Sequence, residues 1–164
     1  MNVQETFRNA IVQMLIEWPA KRQTFERMAQ RLERAGQRLE DRLSKVEGTD
    51  KQKRVLCHII GIERWGQRRL WRATRLRGAP VRSEEAAFSD KHHAYKPETS
   101  TSWVELMAKF RAVRQETVAL SRYLAEADVN ETLKVPHNSL GPLSLRGWLR
   151  YLRTHAAIEG RKIH

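Results

Sequence analysis

The chain has 164 residues, 40% of them hydrophobic and 30% charged, and 31 Lys and Arg against 19 Asp and Glu leave a formal net charge of +12. The apolar content suffices for one core, and 8 Gly with 5 Pro are too few for a collagenous or disordered chain, so a single domain over residues 1–164 is expected. One cysteine, Cys57, rules out an internal disulfide and a CxxC thiolate site. No apolar run is long enough to cross a bilayer, and the start MNVQETFRNAIVQMLIEWPAKR lacks the pattern of a signal peptide, which predicts a cytoplasmic protein with no membrane partner.

The first 47 residues carry a helical period. Phe7, Ile11, Met14, Leu15 and Trp18 recur at three and four, followed by Phe25, Met28, Leu32, Leu39 and Leu43. Pro19 lacks an amide donor and disfavours a helical Trp18, so a kink or a break into two helices is expected there. Gly48 stops this run and Thr49 to Gln52 has the form of a capping box, opening a second helix to about Arg77. Residues 78–101 form a long connection, with a short turn expected at Ser83 to Phe88; connections of this length are often functional. Ser102 to Glu105 is a further capping box, and Leu106, Phe110, Val113, Thr117, Leu120 and Leu124 make the stripe of the helix it opens. A loop over Asp128 to Leu143 precedes a last helix, capped by Ser144 and running to about Lys162. With no strand-like alternation, the pattern predicts an all-α four-helix bundle with a long connection between the second and third principal helices.

Helical geometry, about 100° per residue, sorts the polar residues. On the second helix Val55, Ile59, Ile62, Leu70, Ala73 and Leu76 share an arc that takes in His58 and Trp65 near one edge, while Arg64, Arg68, Arg72 and Arg75 fall opposite. That stripe faces water or a partner. The segment from Lys51 to Arg77 holds nine basic residues and one acidic, Glu63, and so supplies most of the net charge. On the last helix Leu145, Trp148, Leu149, Leu152, Ala156 and Ile163 share an arc with His155 and Glu159. An inward carboxylate needs a cation, a proton or a metal. Arg69, in the apolar arc of the second helix, is one candidate partner for Glu159. The other is a metal: His and Glu four apart on one helix, with a His from a facing helix, match how bundles build divalent-metal sites, and two imidazoles with a carboxylate suit Zn, Ni or Fe(II). His92, His93, His137 and His164 are expected to be exposed loop or tail residues.

The run Val135-Pro136-His137-Asn138-Ser139-Leu140-Gly141-Pro142-Leu143-Ser144-Leu145, then Trp148 to Leu152 and His155 to Ile163, resembles the carboxy-terminal signature of the DinB/YfiT-like four-helix bundles, and Cys57-His58-Ile59-Ile60-Gly61-Ile62-Glu63-Arg64 resembles their second-helix motif. Trp103 to Leu124 follows the family's third helix. The resemblance implies a metal-dependent enzyme, a thiol-cofactor transferase, an isomerase or a hydrolase, acting on a small-molecule substrate, commonly as a homodimer. His58 and His155 match the family's histidines. Glu159 stands where the second histidine of HxxxH is usual, so it is a ligand by chemical substitution and the metal held, or its presence, changes with it. On this reading His92, His93 and Tyr95 help to wall the substrate pocket, a low-molecular-weight thiol is a possible cofactor, and Glu63 is either a partner of the ligands or a surface glutamate paired with arginines. The alternative is a basic helical bundle with a degenerate metal site, whose Arg64, Arg68, Arg72 and Arg75 contact nucleic-acid phosphate or another acidic partner without sequence readout.

Overall fold

In the computed structural model the described residues are 11–74 and 89–164, so the expected turn at Ser83 to Phe88, and Phe7, Arg75, Leu76 and Arg77, lie outside them. Four principal helices, α1 (Phe25–Leu43), α2 (Asp50–Thr74), α3 (Trp103–Glu126) and α4 (Leu145–Gly160), make an all-α bundle. Helix α1 packs on α3 and α4, and α2 packs on the same two. None of the described helices is long and apolar enough to cross a membrane.

The capping chemistry sets the helix starts. Thr49 Oγ1 accepts from the amide of Gln52 while Gln52 Oε1 accepts from the amides of Thr49 and Gly48, a reciprocal box that opens α2 after the left-handed Gly48 (φ 81°). Ser102 Oγ accepts from the Glu105 amide, and Ser144 Oγ from the Gly147 amide, opening α3 and α4. Two features of the connections go beyond the sequence expectation. A 3₁₀ turn spans His92–Tyr95, and Lys134–Val135 pairs antiparallel with Leu143–Ser144 in a two-residue ladder too short for any alternation to announce it.

The amino-terminal break is displaced. The helical period continues through Pro19 in a π-helical turn, Gln13–Glu17, and a short helix, Trp18–Lys21; the chain breaks at residues 22–24, where Thr24 caps α1. Pro19 leaves the carbonyl of Leu15 without its helical donor, and Arg150 Nε of α4 takes it at 2.8 Å. The expected apolar stripe also faces the other way. Ile11, Met14, Leu15 and Trp18 are exposed, while Val12, Glu17 and Ala20 are buried. The buried Glu17 accepts from the Ser144 amide at 2.8 Å and from Lys134 Nζ at 3.1 Å, so polar bonds to the α4 entrance set the rotation of this segment.

Two contiguous apolar clusters fill the bundle. Phe25, Leu32, Trp65, Leu70, Leu120, Trp148 and Leu152 belong to one; Leu43, Leu56, Ile60, Leu106, Phe110 and Ile163 to the other. Helix α2 is buried on more faces than its apolar arc implies, because α3, α4 and the 3₁₀ turn all lie against it. Glu63 is therefore in the core, neither at the surface nor beside the histidines. Its carboxylate takes Thr117 Oγ1 at 2.6 Å and Arg114 NH2 at 2.9 Å, and Gln67 donates to Thr117 Oγ1 and to the Val113 carbonyl. Burial pushes the Glu63 carboxyl up from its ordinary value, with the Arg114 charge opposing. The stripe expected to face water is broken for the same reason: Arg68 is buried, Arg64 half-buried and Arg72 exposed.

Candidate metal centre

His58 lies near the first third of α2, where Gly61 lets the 3₁₀ turn approach. A Cβ at Gly61 would stand 2.5 Å from Lys96 Cγ and 3.3 Å from the His92 carbonyl oxygen, so the glycine is what allows His92 to reach His58. Their ring centroids are 5.7 Å apart. From α4, His155 and Glu159 project one turn apart towards α2, carried there by the same face that buries Trp148, Leu152 and Ala156.

The three expected residues converge. His58 Nε2 and His155 Nε2 are 3.2 Å apart, and with a Glu159 carboxylate oxygen they form a set whose ligand atoms all lie within 4.8 Å of one another. All three side chains are half-buried. Two nitrogens bound to one tetrahedral ion at about 2.0–2.1 Å stand roughly 3.3 Å apart, so the imidazole separation fits a shared divalent cation. Burial, reinforced by the Lys96 charge and opposed by Glu159, lowers the His58 pKa; burial and the His58 charge lower that of His155 to about 4. Both rings are thus neutral near pH 7, the form with a lone pair to give.

The carboxylate already has a cation. Lys162 Nζ donates to both oxygens of Glu159, at 2.7 and 2.8 Å. Burial acts to raise the Glu159 carboxyl, but the Lys162 bonds and charge outweigh it and hold the group below its ordinary value. Lys162 is 56% exposed in its side chain, so it can swing away from the carboxylate at little cost. Arg69, the other expected partner, goes elsewhere: it donates to Asp90 Oδ1, Asn138 Oδ1 and the Pro136 carbonyl, and stacks over Trp65 with Cζ 4.7 Å from the ring centroid. It ties the central connection to the loop before α4.

Around the cluster the expectations divide. His92 borders it, touching both His58 and Trp65, whereas His93 is exposed and meets the His92 ring in a T-shaped contact. Tyr95 is buried in the core, its hydroxyl engaged by the backbone of Ser89. His164 is exposed at the end of the chain, as expected. His137 is the clear correction. It is buried, with Trp65, Trp148 and Tyr151 against its ring, and Tyr151 in turn lies 5.6 Å from His155. Its Nδ1 accepts from the amides of Ser139 and Leu140, so in the neutral ring the proton is on Nε2, which has no acceptor among the described residues. Burial, then the Arg69 charge, brings its pKa down to about 4. Sequence reasoning missed it because a loop position carries no period; the one available signal was the neighbouring Pro136 and Gly141, which turn the loop back on the bundle.

No curated protein and no solved structure is significantly similar to this chain. The family model of the DinB superfamily matches residues 52–160, from the first turn of α2 to the last of α4, a span that contains His58, His155 and Glu159. With this match over well over half its length, the chain belongs to the DinB superfamily.

Proposed function

We propose that the protein is a metal-dependent enzyme in which His58, His155 and Glu159 hold one divalent ion, of the Zn, Ni or Fe(II) kind. The observation that carries the reading is the approach of two neutral imidazole nitrogens to 3.2 Å, with a carboxylate oxygen of Glu159 in reach of both. A bound ion supplies Lewis-acid chemistry there, lowering the pKa of a thiol or water that reaches it. The chain does the rest. Neutral rings on two packed helices fix two donor directions, and Glu159, held by Lys162, would be the third residue to hold an ion. His92 lies against His58 on one side and Tyr151 against His155 on the other, and Trp65 packs against His92. With Tyr151 pushed up to about 12 by burial and then by the Glu159 charge, its phenol stays protonated and acts as a donor. The reaction class we favour is transfer or hydrolysis, with a low-molecular-weight thiol as one candidate co-reactant. The setting proposed is the cytoplasm, where the buried Cys57 stays a thiol.

We place a homodimer in the same proposal, on the exposed apolar residues Ile11, Met14, Leu15 and Trp18, which share one face of the amino-terminal segment. Leu15→Ser with Trp18→Ser should then give a monomer in sedimentation velocity.

Metal analysis of protein purified without a histidine tag tests the centre. About one divalent ion per chain is expected, lost in His58→Ala and in Glu159→Ala with helicity intact. Folded wild-type protein that takes up no ion from an equimolar Zn, Ni or Fe(II) solution overturns the proposal.

A further inference from the structure

Three of the four acids of α1 share one face, and the fourth, Asp41, accepts from Gln37 Nε2 on the same helix. Glu26, Glu33 and Glu40, seven residues apart, turn to α3: Glu40 takes Arg111 at 2.9 Å, Glu33 takes Arg122 at 3.2 Å, and Glu26 stands 3.9 Å from Arg122. This is ordinary complementarity across a helix pair. On the other face, Arg31, Arg38 and Arg42 meet α4, which presents Arg150, Arg153 and Arg161. Arg38, Arg42 and Arg161 line a groove of about 280 Å³ between the two helices, and Arg31, Arg150 and Arg153 line a separate, much smaller recess of about 10 Å³ nearer the start of α1.

None of these six has a carboxylate at ion-pair distance among the described residues. Arg42 donates to the Gly160 carbonyl and Arg150 to that of Leu15, bonds that leave the charge uncompensated. Burial, and after it the charge of Arg31, lowers the Arg150 pKa; burial and then Arg150, Arg31 and Arg38 do the same to Arg153. Glu26, Glu33 and Glu40 are thus committed to the α1–α3 seam, while arginines face arginines across the α1–α4 seam. Such an arrangement concentrates positive potential in the groove, which an anion seated there would lower.

The shape narrows the anion. From Arg31 to Arg42 the helix rises about 16 Å, long enough to pass several phosphates of a strand. The groove is recessed, which suits a chain-like polyanion and not a flat bilayer. No aromatic side chain lines it, so bases have nothing to stack on, while guanidinium forks match phosphate oxygens. We propose that the arginine-lined groove between α1 and α4 binds the phosphate backbone of a nucleic acid without reading its sequence. The site is distinct from the metal centre, which lies on the side of α4 that faces α2.

Fluorescence anisotropy with a labelled random-sequence duplex DNA, on the full chain over a series of KCl concentrations, tests it. Arg31→Gln/Arg38→Gln/Arg153→Gln should weaken binding at least ~10-fold and reduce the salt slope by about 2–3. Arg111→Gln/Arg122→Gln/Lys109→Gln removes the same formal charge from α3, where carboxylates already pair it, and should weaken binding less than ~3-fold. The groove variant should melt no lower than wild type, because it relieves repulsion. Arg42→Gln/Arg161→Gln alters exposed side chains only and should weaken binding in the same direction. Equal losses in groove and control variants, no salt-dependent binding by wild type, or a groove variant that loses anionic vesicles but keeps DNA would each overturn the proposal.

Discussion

The neutral imidazole of His137 fixes part of how stability responds to acid. Its pKa falls from 6.5 to about 4 on folding, so between those values the unfolded chain binds a proton that the folded chain refuses. The contribution is complete above pH 6.5 and is lost as pH falls towards 4, amounting to about 3 kcal/mol at most. Urea midpoints measured at pH 7.5 and pH 5 should therefore differ for wild type, and His137→Asn, which keeps an acceptor for the Ser139 and Leu140 amides but cannot titrate, should narrow the gap. At this scale the sequence was informative where a helical period existed. His58, His155 and Glu159 were each placed by rotation on a helix, and all three converge. His137 and Glu17 were not, since their burial depends on where a loop and a π-helical turn come to rest, and no periodicity encodes that.

Among the elements, the capping signals located the starts of α2, α3 and α4 to the residue, because a Ser or Thr hydroxyl and the amide three residues on form a local, short-range pair. The Pro19 break was less legible. A proline removes a donor from the chain, but whether the helix stops depends on a distant residue, here Arg150, satisfying the carbonyl that is freed. Helix α2 illustrates the same limit in its packing. A wheel shows which face is apolar and not how many neighbours will cover it, so it puts Arg68 on a face towards water or a partner and leaves Glu63 either beside the ligands or at the surface, although α3 lies against Glu63 and Gln67. The contact of the 3₁₀ turn with α2 yields a direct test. Gly61→Ala should cost about 1–3 kcal/mol, by forcing the turn off the helix. Tryptophan fluorescence should shift with it, because Trp65 donates to the Asp90 carbonyl at the entrance of that turn.

For the molecule as a whole, the buried Glu63–Arg114 pair joins α2 to α3. Removing one member leaves an uncompensated charge between α2 and α3, and Glu63→Leu alone should destabilise by about 3–5 kcal/mol. Glu63→Leu combined with Arg114→Met should recover much of that loss, since the site then becomes apolar. Chemical denaturation of the two singles and the double closes the cycle. If the double is no better than the sum of the singles, the pair is not coupled in the way its 2.9 Å separation indicates.

The fastening of residues 11–21 has a consequence for native-state motion. The segment turns much of its apolar surface outward, and Glu17 and the Leu15 carbonyl attach it to Ser144 and Arg150 at the beginning of α4 and to Lys134 in the strand paired with Ser144. Detaching the segment thus removes the acceptor of the Ser144 amide in the same event. Amide protons at this junction should exchange with solvent at the rate of the segment itself and faster than those in the middle of α4, so the amino-terminal piece and the entrance to α4 open as one cooperative unit while the remainder of the bundle stays closed.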